Sequence, residues 1–196
     1  MTQATADILS QAFAFAELAA PSSFGDGSPE VQRAQTVYPG VLDECLGWAD
    51  WSFASKLLSL PPASDGIADP DLPGVWQLPS EVLKLRKVDD GRRRWRLDGR
   101  LLRADATITA ALKIRATVRV EREVDLPGEF RKALALELAA RISPPATRSA
   151  NRSATLDERT MAQMKKAARA DRQGSPERWD GGPPGRSNDF VAEVLR

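Results

Sequence analysis

Histidine is absent from this 196-residue chain. Its absence removes the side chain that most often acts as general base or neutral metal ligand near neutral pH. Cysteine occurs once, at Cys45, so no internal disulfide can staple the fold. The thiol lies in an apolar stripe, where a small buried hydrophobe is a better reading than a reactive nucleophile. Neither charge sign dominates, with 28 Lys and Arg against 27 Asp and Glu, so no bulk field draws the chain to nucleic acid or to an anionic membrane. No apolar run approaches the ~20 residues that span a bilayer. No Lys or Arg precedes Arg33, so the start lacks the charged region of a secretory signal and the expected compartment is the cytoplasm. A glycine-rich phosphate loop, a nucleophile elbow, a paired-cysteine zinc site and an H-E-x-x-H helix are all missing. The expectation is a protein that is not an enzyme and uses no cofactor and no metal.

What is present is a set of amphipathic helices around a β segment. Ile8, Ala12 and Phe15, with Leu9, Phe13 and Ala16 beside them, give a broad apolar face and a first helix over about 5–18. Loop punctuation follows, with Pro21, Ser22, Ser23, Gly25 and Gly27. Ser28 is a good N-cap because its hydroxyl can accept an orphan backbone N–H, and Pro29 suits the next position, where no N–H is needed. From there Val31, Ala34, Tyr38, Val41, Leu42, Cys45 and Leu46 recur at three- and four-residue spacing, which predicts a second helix over about 28–50 with one buried face. Farther on, Phe130, Leu134, Leu138 and Ile142 repeat every four residues behind Pro127, giving a core helix over 127–142. Thr155-Leu156-Asp157-Glu158 reads as a capping box that opens a last helix over 155–172. Its apolar face is thin, only Leu156, Met161, Met164 and Ala168 among many basic residues.

Between the second and third helices, about 54–122, the pattern turns to β. Lys56 to Leu60 can extend, and a loop rich in Pro, Asp and Gly runs from Pro61 to Gly74. Trp95 to Leu101 reads as a hairpin because Asp98-Gly99 suits a two-residue type I′ turn. In Leu112 to Glu121 the apolar set Leu112, Ile114, Ala116, Val118 and Val120 alternates with Lys113, Arg115, Thr117, Arg119 and Glu121, so one face should be buried and the other charged. The expected class is α+β: about four helices forming a bundle over 1–172, a small antiparallel sheet inserted between the second and third, and an extended tail over 173–196.

Two junctions carry a resemblance. The second helix exits through Trp48-Ala49-Asp50-Trp51-Ser52-Phe53-Ala54, and Trp76-Gln77-Leu78-Pro79-Ser80-Glu81 turns an extended piece into a strand. With the helix pair before them and the two late helices after, these segments resemble the tail tubular protein A family. Its members are ring-forming head-to-tail adaptors of tailed phages, and the look is nearest to the adaptors of gene transfer agent particles. The resemblance implies a structural protein of the virion or particle neck, with a ring of about twelve copies on the portal. The ring would join the portal to the next stopper or tail protein, and DNA would pass through its channel without sequence recognition. The compact β region here departs from the short-tailed phage proteins and suits a long-tailed or gene-transfer-agent particle better.

Three constellations are candidates for contact. In the tail, Phe190, Val191, Val194 and Leu195 have helical spacing and Trp179 interrupts a Gly-, Pro- and Arg-rich stretch, so this segment needs something to dock on. On the residues alone, its own subunit and a partner are even alternatives; the resemblance implies the portal. Arg92, Arg93, Arg94 and Arg96 surround Trp95 and could meet DNA or a neighbouring subunit, which would make the alternative function a small nucleic-acid-binding module. A solvated hairpin is the stronger reading there, because Asp89, Asp90, Asp98 and Asp105 lie close enough to cancel much of the field. Trp48, Trp51 and Phe53 read as core packing before a stacking platform, and Asp65, Asp69 and Asp71 read as a solvated loop because they lack the order of a calcium loop.

Overall fold

The computed structural model describes residues 3–19, 21, 23, 25, 27–63, 69–89, 91, 93–105, 111–143 and 150–173, the side chains of the last segment from 155. Among the described residues the fold is α+β, with four helices and two small antiparallel sheets. The described residues divide into two compact units, one formed by those up to Ala49 together with those from Val120 to Gln173, the other by Asp50–Arg119.

The first unit holds α1 (Gln3–Phe15), α2 (Pro29–Trp48), α3 (Gly128–Ile142) and α4 (Ala150–Gln173). Helix α1 ends earlier than its apolar pattern suggested. Glu17 takes a left-handed φ of 55°, and the N–H groups of Leu18 and Glu17 donate to the carbonyls of Phe13 (3.0 Å) and Ala14 (3.2 Å). This is a Schellman stop built on a glutamate where glycine is usual, which hides it from sequence. In α2 the Ser28 hydroxyl accepts from the Val31 N–H at 3.4 Å, as expected of the cap. The buried residues of α2 are the predicted seven, from Val31 to Leu46. The helix continues through Pro39, which costs one backbone hydrogen bond but leaves the apolar stripe in phase.

Helix α3 packs against α1, α2 and α4. Its predicted line, Phe130, Leu134, Leu138 and Ile142, is fully buried, and Ala133, Ala135, Leu136 and Ala139 are buried as well. Small alanines let neighbouring helices approach on the flanks of that line. Helix α4 corrects the expected start: it begins at Ala150, so Thr155 and Glu158 lie inside the helix and form no capping box. Met161 is also displaced from its expected place in the apolar face and is 44% exposed, while Thr160, Gln163 and Ala167 are buried. Gln163 explains part of this shift. Its side-chain amide donates to the Glu129 carboxylate (2.6 Å) and backbone carbonyl (3.2 Å), and Lys166 pairs with the same carboxylate at 2.9 Å, so a polar clamp rotates α4 onto α3. The Glu129 carboxyl is held below its ordinary range, first by the bonds from Lys166 and Gln163.

The second unit corrects the single expected sheet. After a short 3₁₀ turn at Ser52–Ala54, strands β1 (Ser55–Leu60), β6 (Leu112–Val118) and β3 (Val82–Val88) form one antiparallel sheet in that order. Strands β2 (Gly74–Gln77), β5 (Leu101–Ala104) and β4 (Trp95–Asp98) form the other. The inner faces meet in one core that includes Leu60, Val88 and Ile114 from the first sheet and Trp76 and Leu102 from the second. The β4–β5 hairpin is present with its turn moved one residue: Asp98 pairs with Leu101, so Gly99 and Arg100 form the loop. Only Gly99 of the two has positive φ, 63°, the pattern of a type II′ turn.

Strand β6 alternates as expected from Leu112 to Ala116, and there the pattern breaks. Thr117, expected on the charged face, is fully buried. The cause is in β3, whose register shifts between Val82 and Lys84 and again between Leu85 and Lys87, leaving Arg86 as a bulge residue. Arg86 Nε donates to the Thr117 hydroxyl at 2.7 Å and lies 3.4 Å from Asp50 Oδ1, with a side chain only 10% exposed. Burial lowers the Arg86 pKa and Asp50 opposes the shift.

Because Leu134 is fully buried in α3, Leu134→Ala should cost about 2–5 kcal/mol. Met161→Ala should stay within about 0.5 kcal/mol. Denaturant unfolding followed by helical circular dichroism distinguishes the two, and equal losses would contradict this account of the helical core.

Candidate functional site

The arginine hairpin is held by its own carboxylates. Arg93 meets Asp89 at 2.7 Å and Arg94 meets Asp105 at 3.5 Å. On β4, Arg96 reaches both Asp69 and Asp98 at 2.9 Å, and Arg103 on β5 reaches Asp98 at 2.6 Å. Arg100 donates to the Pro79 carbonyl and, at 3.5 Å, to that of Val82. Aspartates thus offset most of the described cationic charge, and phosphate binding here would have to displace existing pairs. The Asp98 carboxyl is held below the ordinary carboxylate range by hydrogen bonds from Arg96 and then Arg103. Asp69 is lowered too, first by the backbone N–H of Asp71, then by that of Leu72 and by Arg96. Its carboxylate caps a turn, with Asp71 N–H at 2.9 Å, and anchors Arg96.

The same strand carries apolar side chains that stay in water. Trp95 pairs with Ala104 and Leu97 with Leu102, and on β5's other side Leu102 pairs with Trp76. Directly paired residues share a face, so Trp95 and Leu97 extend the buried face of Trp76 and Leu102 to the sheet edge. There they are 41% and 39% exposed. Arg96, between them, points its pairs to the opposite face.

Of the aromatic trio, Trp51 is buried at 1% exposure and its ring lies 5.6 Å from that of Phe53, tilted 36°, which is packing geometry. Trp48 behaves differently. On the helical unit it lines a groove of about 300 Å³ with Cys45 from α2, Glu137 from α3, and Asp157, Met161 and Met164 from α4. Glu44 completes the rim. The floor is apolar and soft, and the rim is acidic: three carboxylates, Glu44, Glu137 and Asp157, stand there. Arg141 offsets part of the charge, binding Glu44 at 2.6 Å and Glu137 at 3.1 Å. The Cys45 thiol is pushed well above its usual range, by burial first and then by Glu137 and Glu44, with Arg141 opposing. Burial and the two carboxylates thus favour the neutral thiol over the thiolate.

Sequence reading found the arginine hairpin and missed the groove. Its signals were available in part, since Glu44 with Trp48 and Asp157 with Met161 are i, i+4 pairs on helix surfaces. What periodicity assigned to the core was Met161. The proposed portal-contact residues Trp179, Phe190, Val191, Val194 and Leu195 lie outside the described residues, as do Arg92, Asp65 and Asp90. Among the described residues, no helix is long and apolar enough to cross a membrane. No protein-family model matches this chain, and no curated protein matches it.

The hairpin network has a testable acid signature. A carboxyl whose folded pKa is depressed contributes stability that is complete above the unfolded value of ~3.9 and is lost as pH falls through the lower folded value. The Asp98 side-chain carbon shift, followed by NMR against pH, should therefore titrate below the ordinary range. In Arg96→Ala the midpoint should move up toward it; an unmoved midpoint would show that Arg96 does not set it.

Proposed function

We propose that this protein is the structural head-to-tail adaptor of a tailed phage or phage-like gene transfer agent particle. In this reading copies form a ring of about twelve on the portal, joining it to the next stopper or tail protein around the DNA channel. The observation that carries the reading is the order of parts: a helix pair, an exit through Trp48 and Trp51, a compact β segment with Trp76 in its second strand, then two more helices. That order and those junction residues are the ones on which the resemblance to the tail tubular protein A family rests. The burial of Trp51 and Trp76 gives both signature aromatics a structural reason to be there.

The mechanism is binding and symmetry. Each copy would present one surface to its neighbour and a different one to the next, and rotation closes the ring. Residues from Trp179 to Leu195 would fasten the ring to the portal, their apolar side chains ordering on contact. DNA would move past without sequence recognition, consistent with arginines already paired to aspartates. This pairing also disfavours the alternative of a nucleic-acid-binding module on the hairpin.

Mass photometry of the chain alone and mixed with a candidate portal ring tests the proposal. The expected result is a discrete gain of many copies on the portal. Deletion of residues 190–196 should leave a folded chain that no longer joins it. A chain that ignores the portal overturns the adaptor reading, and unimpaired joining after the deletion overturns the role of the tail.

A further inference from the structure

The acidic groove on the helical unit finds an opposite charge in Arg94, the most exposed of the paired arginines, which precedes Trp95 at the edge strand β4. The groove is at the small end of ligand-site volumes, so it suits one large side chain better than a metabolite. Its walls offer what an indole prefers: the Trp48 ring, two polarizable methionines and carboxylates at the rim. Three rim carboxylates against Arg141 select a cationic neighbour for that side chain. The described surface contains one large aromatic that combines exposure with adjacent cations. Trp95 stands on an edge strand, next to Arg94, whose side chain is 74% exposed and is held only at 3.5 Å by Asp105, a pair the contact would exchange. Leu97 widens the apolar contact on the same face.

We infer that the groove of one copy receives Trp95 from the β4 edge of a neighbouring copy, with Arg94 set against Asp157 and Glu44. The inference rests on the ring reading and specifies its subunit contact. The two surfaces differ, so the contact is head-to-tail, the kind that builds rings rather than two-fold dimers. Trp95 would be the buried anchor, and the charge pairs at the rim would set register and confer salt sensitivity.

Two single-cysteine populations test this in a Cys45→Ala background, one carrying Met161→Cys and the other Leu97→Cys, so that Trp95 and Arg94 remain. The two are mixed, assembled on the portal ring and treated with a short bis-maleimide. A covalent pair at twice the chain mass that requires both populations supports the inference. A doubly substituted chain that cross-links only within itself would mean that the hairpin fills its own groove, and overturns it. A ring that assembles without the cross-link also overturns it, because another segment or partner then occupies the groove, while the adaptor reading stands. No assembly at all removes both.

A charge exchange gives an independent arm. Glu44→Lys with Asp157→Lys changes exposed residues and should raise the chain concentration needed for the ring at least about tenfold. Adding Arg94→Glu should recover part of the loss, and no recovery counts against the pairing. Circular dichroism of each variant confirms that the fold is intact.

Discussion

Helix α3 is covered by three neighbours, with eight of its fifteen residues buried on more than one side, and the helical unit is arranged by that requirement. A helix apolar on several sides cannot remain in water, so α1, α2 and α4 must each supply a stripe to cover it. The stripes differ in quality. Those of α1 and α2 are continuous, whereas α4 contributes Leu156, Met164, Ala167 and Ala168 and relies on a polar clamp at Glu129 for its remaining register. Where α2 and α4 both meet α3, their outer residues border the groove, and Trp48 and Met161 are left partly in water.

The β unit is governed by a different constraint, the cost of burying a cation. The bulge at Arg86 places a guanidinium inside the first sheet, and Thr117 and Asp50 are arranged to satisfy it. The aspartate network on the second sheet solves a milder version of the same problem at the surface. Edge strands invite unwanted pairing, and charged residues blunt them. On β4 the blunting covers only one face, through Arg96 and its partners, and the opposite face keeps Trp95 and Leu97. The edge is thus charged on one face and apolar on the other.

The lone thiol of the chain is buried, and the lowered carboxyls of Asp98 and Glu129 are held by hydrogen bonds and ion pairs from Arg96, Arg103, Lys166 and Gln163. In the proposed ring the acidic groove of the helical unit would meet the Trp95 edge of a neighbouring copy, and two unlike surfaces of this kind suit cyclic association.

The sequence by itself determined the local elements. The Ser28 cap, the seven-residue stripe of α2, the four-residue repeat of α3 and the first half of β6 were legible because each depends on short-range chemistry and burial periodicity. Tertiary structure decided the rest. The stop of α1 rests on a glutamate in a glycine conformation, and the early start of α4 overrides a capping box that the sequence spells correctly. The division into two sheets depends on which strands find each other across long loops, and strand periodicity is silent about partners. Thr117 became buried because a bulge on another strand aimed an arginine at it. The arginine hairpin was legible as a candidate because its residues are contiguous. The groove was not, because it is made from three helices far apart in the chain and exists only where their surfaces fail to close over α3.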